Sequence, residues 1–260
     1  MDIAGLFDIK GKRALVTGGS GGIGYMIAEG LVRAGAEVLI CSRKAAAVDA
    51  AVSALSPIGA ISGFAADLTT EEGIAAAAKA VGSDNVLHIL INNAGTSWGA
   101  PIDSFPRKGL EKVLDLNIAA PFLLTQALLP ALRRAATPDD PARIVNIASI
   151  DGFRIPPWES YPYSASKAAI IHMGRHMGKF LAGDHISVNA IAPGLFPSKM
   201  TAGVFDFDDP EELERAASPL GHRIGTPEDI AGGVIYLCSR AGAWISGATI
   251  PIAGGVATID

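Results

Sequence analysis

A chain of 260 residues with 49% hydrophobic side chains can bury one sizeable core, and α/β folds of this length commonly form a single domain, expected here over 1–260. A net charge of −5, with no basic cluster beyond pairs, argues against nucleic acid as a partner. No run approaches the roughly 18 uninterrupted apolar residues of a membrane helix, and Asp2 and Asp8 stand where a secretory signal would need basic residues before an apolar stretch.

Apolar runs and helical patterns then alternate along the chain. Strands are predicted at Ala14–Thr17, Glu37–Cys41, Ala60–Ala65, Leu87–Asn92, Arg143–Ala148, Ile186–Ile191 and Ala248–Ile252. Helices are predicted near 23–34, 44–55, 70–80, 107–134, 161–182 and 227–239. The third helix opens on Thr69 with Glu72 three residues on, the spacing of a capping box. Residues 135–141 read as a connecting loop. Strands this continuously apolar are buried on both faces, the signature of a parallel sheet. The alternation implies right-handed crossovers, so the expected architecture is one doubly wound parallel sheet of about seven strands with helices on both faces. Cys41, near a strand end, and Cys238, in a helix, read as buried thiols of a cytoplasmic chain rather than a disulfide.

Two motifs carry chemistry. In RALVTGGSGGIG (Arg13 to Gly24) a strand runs into a glycine-rich turn and then a helix. Gly18 permits the tight turn, Gly22 lets a phosphate approach the backbone, and Gly24 lets helix and strand pack closely. The helix N-terminus then offers free N–H groups and partial positive charge to a pyrophosphate. Further on, Tyr163 and Lys167 lie four residues apart in YSASK, so a phenol and an ammonium leave the same helix face. A free phenol has a pKa of about 10, and a fixed cation beside it lowers that value. Tyr161 competes with Tyr163, but only Tyr163 has a lysine at i+4.

Thr17-Gly-x-x-x-Gly-x-Gly24, Asn92-Asn-Ala-Gly95, Ser149 and Tyr163-x-x-x-Lys167, in that order, resemble the short-chain dehydrogenase/reductase family. The resemblance extends to Asn117, Pro193-Gly194 and the stretch from Gly225 to Gly255. It implies a single-domain Rossmann fold and a dinucleotide cofactor lying along Gly18, Ser20, Gly22, Ile23 and Gly24. The cofactor would continue past Ser42 and Arg43, Asp67 and Leu68, Asn93, Ala94 and Gly95, then Pro193, Gly194 and Ser198. Asp67-Leu68 resembles the pair that reads the adenine ring, and a plain loop acid ahead of Thr69 is the other reading. Relatives often carry a threonine where Ser198 stands, bonding the nicotinamide carboxamide.

Ser42-Arg43 ends the second strand where an NAD enzyme usually has an acid for the ribose hydroxyls. A guanidinium there binds a 2′-phosphate in a bidentate fork, so NADP(H) is the expected cofactor. The alternative is a solvated charge opening the next helix. Gly21 departs from NADP-linked relatives, many of which have a second basic residue there, leaving Arg43 as the clamp with Ser42 and Lys44 beside it.

By the same resemblance, Tyr163 is the general acid of ketone reduction and the base of the reverse reaction. Lys167 holds the nicotinamide ribose and lowers the pKa of Tyr163, while Ser149 donates to the substrate carbonyl. Asn117 holds a water linking Lys167 to solvent, or is an amide bonding a turn near Pro121. Fourteen positions separate Ser149 and Tyr163, one more than in many relatives, so the loop between them should bulge. Ala253 replaces an aspartate usual before the final glycine pair.

Thr96, Ser97, Trp98, Ile150, Phe153, Trp158, Leu195 and Phe196 are expected around an apolar substrate pocket with a lid near 199–217. NNAGTSWGA and APGLFPSKMT are similar to 3-oxoacyl reductases of rhamnolipid biosynthesis, which makes a hydrophobic carbonyl compound, acyl thioesters included, the expected substrate. The acidic run Asp206 to Glu214 would disfavour an acidic carrier protein, or is simply a solvated helix start. Alternatives are an alcohol, sugar or steroid dehydrogenase of the same family and a non-catalytic NADP-binding regulator. His172 and His176 lack a third ligand, so no metal is expected. The helices bearing Asn117 and Tyr163 form the subunit interface in relatives, implying a homotetramer or homodimer.

Overall fold

A computed structural model of the chain describes residues 2–82, 85–202, 205–206 and 208–258. Seven strands form one parallel sheet in the order β3-β2-β1-β4-β5-β6-β7. They are β1 (Arg13–Thr17), β2 (Glu37–Ser42), β3 (Ile61–Ala65), β4 (Ile89–Asn92), β5 (Ala142–Ile147), β6 (Ile186–Pro193) and β7 (Thr249–Ile252). The helices are α1 (Gly22–Arg33), α2 (Ala45–Leu55), α3 (Glu71–Val81), α4 (Arg107–Leu114), α5 (Ala120–Ala135), α6 (Tyr161–Leu181), α7 (Pro210–Ala216) and α8 (Pro227–Cys238).

Two-residue periodicity sorts the strand side chains into two cores. Ala14, Val16, Val38, Ile40, Ile89 and Ile91 face α1, α2 and α8, meeting Ile27, Leu31, Val48 and Val234. Their neighbours Leu15, Leu39, Cys41 and Leu90 face the other way, against Ala77 of α3 and Leu124 and Leu128 of α5. Both faces are therefore apolar, as continuous apolar strands require. Cys41 and Cys238 are free buried thiols.

Several boundaries differ from the expected ones. The β4 strand starts at Ile89, because the N–H of Leu87 goes to Ala131 O of α5 (3.0 Å) instead of a strand. The cap of α3 is Thr70, whose hydroxyl accepts from Gly73 N at 3.0 Å, while Thr69 is occupied with Asp67. The helix expected over 107–134 is interrupted by a π-helical turn, Asp115–Ala119. Pro121 has no N–H for the Asn117 carbonyl four residues earlier, which favours the wider turn. The continuous run Arg107–Ala135 is long and apolar enough to cross a membrane by length and composition, yet its Leu116, Leu124, Leu128 and Leu132 are core residues. The 136–141 loop does more than connect: its Asp140 pairs with Lys12 and with buried Arg143. The acidic run is a helix start, with Asp209 capping α7 through Glu211 N (2.9 Å). Of the expected lid, residues 203, 204 and 207 lie outside the described residues.

Between β1 and β4 the strand order reverses. The strand ends on either side of such a switch point open a crevice, and the turns after β1 and β4 line it.

Candidate active site

That crevice is a cleft of about 390 Å³. Its floor is the glycine turn, with Gly18 at φ 67° and Gly22 at φ 54°, the left-handed region open to glycine. A Cβ on Gly24 would strike the Gly18 carbonyl oxygen and the Asn93 amide, so only glycine lets α1 approach β1. No side chain caps α1 at Gly21, which leaves the first-turn N–H groups for an anion. Thr17 ties the turn to β4: its Oγ1 accepts from Asn93 N and Ala94 N, both at 2.9 Å, and Asn93 Nδ2 donates to Thr17 O at 2.8 Å. The Asn93 side chain is thus a structural brace; Ala94 and Gly95 present bare backbone to the cleft.

Ser20, Ile23, Ser42, Arg43, Ser149, Tyr163, Lys167, Pro193, Gly194 and Ser198 line the same cleft as Gly18, Gly22, Gly24, Asn93, Ala94 and Gly95. Asp67, Leu68 and Asn117 do not. Leu68 turns into the core against the β-sheet because it is the apolar member of its pair. Asp67 bends back on Thr69, which donates from N (3.0 Å) and Oγ1 (2.7 Å). Those bonds, helped by the charge of Arg43, hold its carboxyl below the usual range. Ala253 backs onto Gly194, leaving 2.9 Å between its Cα and the place of a Gly194 Cβ.

Tyr163 and Lys167 come from α6, Ser149 from the end of β5, and they meet at the C-terminal edge of the sheet. Lys167 is 6% exposed, donates from Nζ to Ile147 O at 2.8 Å, and lies 5.5 Å from the Tyr163 ring centroid. Burial draws its pKa down to about 8. The phenol of Tyr163 lines the cleft beside the Ser149 hydroxyl. Burial pushes its pKa up to about 12; the Ser149 hydroxyl opposes this and the Asp151 charge adds to it. Burial thus keeps the phenol protonated in the chain alone.

Asn117 lies in the π-turn and is buried. Its Oδ1 accepts from Thr96 N (2.9 Å), and its Nδ2 donates to Thr96 O (3.0 Å) and Ser166 Oγ (2.9 Å). A Cβ on Gly95 would lie 3.3 Å from Asn117 Oδ1 and 3.7 Å from Lys167 Nζ, so the three groups adjoin. The side chain braces the loop after β4 against α6.

Asp151 was not anticipated. It is 7% exposed, donates its N–H to Ser149 Oγ at 3.1 Å and pairs with Arg154 Nε at 3.2 Å. A charged residue inside the apolar stretch after Ser149 was the available signal. Tyr161, by contrast, is exposed and donates to Glu159 at 2.6 Å. In the loop between Ser149 and Tyr163, Ile155 is 95% exposed.

The expected apolar pocket is only partly realised. Trp98 lies on α4, where a Cβ on Gly109 would come within 2.8 Å of its ring and Lys112 Nζ stands 5.3 Å from its centroid. Phe196 is 2% exposed, its ring filling the space beside Gly225. Phe153 and Trp158 remain partly exposed, and Trp158 meets Phe205 edge-on at 6.5 Å. His172 and His176 are exposed on α6.

A glycine turn at the switch point and a serine–tyrosine–lysine constellation at the sheet edge define a dinucleotide-dependent oxidoreductase class. The chain belongs to the short-chain dehydrogenase/reductase family. Residues 18–257 match the family described as Enoyl-(Acyl carrier protein) reductase. The chain is 46% identical over 250 residues to the Pseudomonas aeruginosa rhamnolipids biosynthesis 3-oxoacyl-[acyl-carrier-protein] reductase, covering 96% of this chain and 97% of the relative. It is 33% identical over 253 residues to gluconate 5-dehydrogenase of Gluconobacter oxydans, with 96% of each chain covered. Among solved structures it resembles the Pseudomonas aeruginosa RhlG/NADP active-site complex, with a TM-score of 0.92, 46% identity and 97% and 99% of the two chains covered.

Proposed function

We propose that this chain is an NADPH-dependent carbonyl reductase that interconverts a ketone and a secondary alcohol on a hydrophobic 3-oxoacyl-type substrate. The observation that carries the reading is that Ser149, Tyr163 and Lys167 line one cleft with the glycine turn. Two hydroxyls lining one cleft suit a developing alkoxide oxygen.

The cleft suits NADP(H). Gly24 lets α1 pack directly onto the glycine turn, and α1 presents uncapped N–H groups. Gly18, Ser20, Gly22, Ile23 and Gly24 would hold the pyrophosphate, Ser42 and Arg43 the 2′-phosphate, and Asp67 and Leu68 the adenine edge. Asn93, Ala94 and Gly95 would flank the adenosine half, while Pro193, Gly194 and Ser198 would flank the nicotinamide side. Bound there, the reduced cofactor supplies the hydride.

The remaining steps belong to the chain. The Oγ of Ser149 accepts from Asp151 N–H, and its O–H would donate to the substrate oxygen. Tyr163, neutral at a pKa of about 12, carries the proton that the new alkoxide takes. Lys167 orients the ribose and, with the charge that hydride loss leaves nearby, makes the phenol a better donor as reaction proceeds. Asn117 positions Lys167 and, by family resemblance, the water that returns the proton.

We also place the enzyme in the cytoplasm as a homotetramer or homodimer, without nucleic acid or membrane partners. Its free buried thiols and net charge of −5 support this, as do exposed Phe122, Leu123 and Phe180 on α5 and α6, the helices that pair subunits in relatives.

The test is kcat/KM with NADPH across 3-oxoacyl thioesters from about four to about twelve carbons. Each buried methylene is worth about 0.8 kcal/mol, so two more carbons should improve efficiency about tenfold until Phe153, Trp158 and the slot beside them are filled. A flat or falling series overturns the acyl reading.

A further inference from the structure

The cleft has a wall opposite the glycine turn. Past β6 the chain folds back over the start of α1, where a Cβ on Gly22 would stand 3.0 Å from the Ser198 Cβ. A closed turn fixes this crossing. Ser198 N donates to Thr201 Oγ1 at 2.9 Å, Thr201 N donates to Ser198 Oγ at 3.2 Å, and Thr201 Oγ1 donates to Phe196 O at 2.9 Å. Lys199 sits inside that turn and lines the cleft together with Gly21, Gly22 and Ile23. It is exposed to the cleft side, and among the described residues its ammonium enters no ion pair.

The distribution of charge along the cleft gives Lys199 a use. Arg43 and Lys44 lie at one end. Lys167 is buried at the other and engaged with Ile147 O. Between them, the backbone supplies positive potential at the N-terminus of α1, worth roughly half a unit charge. A pyrophosphate bridge carries more than that.

We propose that Lys199 is a cofactor-binding residue that neutralises the pyrophosphate bridge from the wall facing the glycine turn. The inference rests on the reading of the cleft as an NADP(H) site. It assigns the bridge, common to both nicotinamide cofactors, to Lys199 and leaves the 2′-phosphate to Arg43.

The experiment is equilibrium titration of purified protein with NADPH, NADH and 2′-AMP, followed by protein fluorescence. Lys199→Ala should weaken NADPH and NADH by the same factor, about tenfold, and leave 2′-AMP unchanged. Lys199→Glu should weaken both dinucleotides further, and Lys199→Arg should restore them. Arg43→Ala should weaken NADPH and 2′-AMP only. Because Lys199 is exposed, these variants should keep the wild-type melting temperature. Unchanged dinucleotide affinity in Lys199→Ala, or a loss confined to NADPH, overturns the assignment. Wild-type protein that binds neither dinucleotide overturns the NADP(H) reading itself.

Discussion

The backbone N–H of Asp151 lies 3.1 Å from the Oγ of Ser149, and its carboxylate bears on the phenol of Tyr163 beside that serine. One residue thus fixes the serine rotamer through its backbone and opposes phenolate formation through its side chain. Burial raises the carboxyl of Asp151 itself, and Arg154 offsets this in part. Asp151→Asn keeps the N–H and removes the negative charge. The phenol of Tyr163 should then ionise at lower pH. In alcohol oxidation, where the phenolate is the base, the rise of kcat/KM with pH should move to lower pH. An unmoved profile would show that Asp151 does not act on Tyr163.

Tyr163→Phe removes the proton and little packing. Turnover should fall by about 10²–10⁴, the usual contribution of a general acid, while NADPH affinity stays within a few-fold. Retention of a tenth of wild-type activity would assign the proton to another group.

Lys167 is held as a buried cation with a pKa near 8 against an ordinary 10.5. Between these values the unfolded chain binds more protons than the folded one, so this group makes stability rise with pH across that window. Lys167→Met should abolish catalysis yet melt higher than wild type near neutrality. Its advantage should narrow by about 1.4 kcal/mol per pH unit from pH 8 to 10.5. Taking the difference between variant and wild type cancels the opposite contribution of Cys41 and Cys238, which burial pushes up to about 12. Denaturant melts at several pH values would measure it, and a pH-independent difference would contradict the buried charge.

Arg43→Ala should raise the Michaelis constant for NADPH by about ten- to a hundredfold, the loss of one charge-assisted contact, and leave NADH nearly unchanged. Ser42→Asp should shift preference toward NADH by repelling the 2′-phosphate and accepting from the ribose. Equal effects on both cofactors in steady-state assays would remove Arg43 from the phosphate site.

Gly24→Ala places a methyl against the Gly18 carbonyl. Backbone cannot yield as a side-chain tip can, so a cost of about 1–3 kcal/mol in unfolding free energy is expected, with loss of NADPH binding. A stable variant with intact binding would mean that α1 can withdraw from β1 freely.

What the sequence by itself determined is local or periodic. Ala14 to Gly24 announces strand, turn and helix within a dozen residues, because apolar period and glycine placement are properties of neighbours. Tyr163 and Lys167 share a face through helical spacing alone, and the sheet follows from strands apolar on both sides. Pro121 carries a signal for the π-turn at Asn117, but the helical pattern over 107–134 was expected to be unbroken. Tertiary structure decided what depends on partners far apart in the chain. Trp98 was a pocket candidate until Gly109, lacking a Cβ, offered its ring a bed on α4. Phe196 lines the cleft as expected, and only the packed structure shows its ring held against the bare backbone of Gly225. Asp151 reached Tyr163, and Lys199 crossed above Gly22, only through loops whose paths no residue period encodes. The phenol pKa belongs to the same group. Spacing placed a cation near Tyr163, and burial decided that the phenol stays protonated in the chain alone.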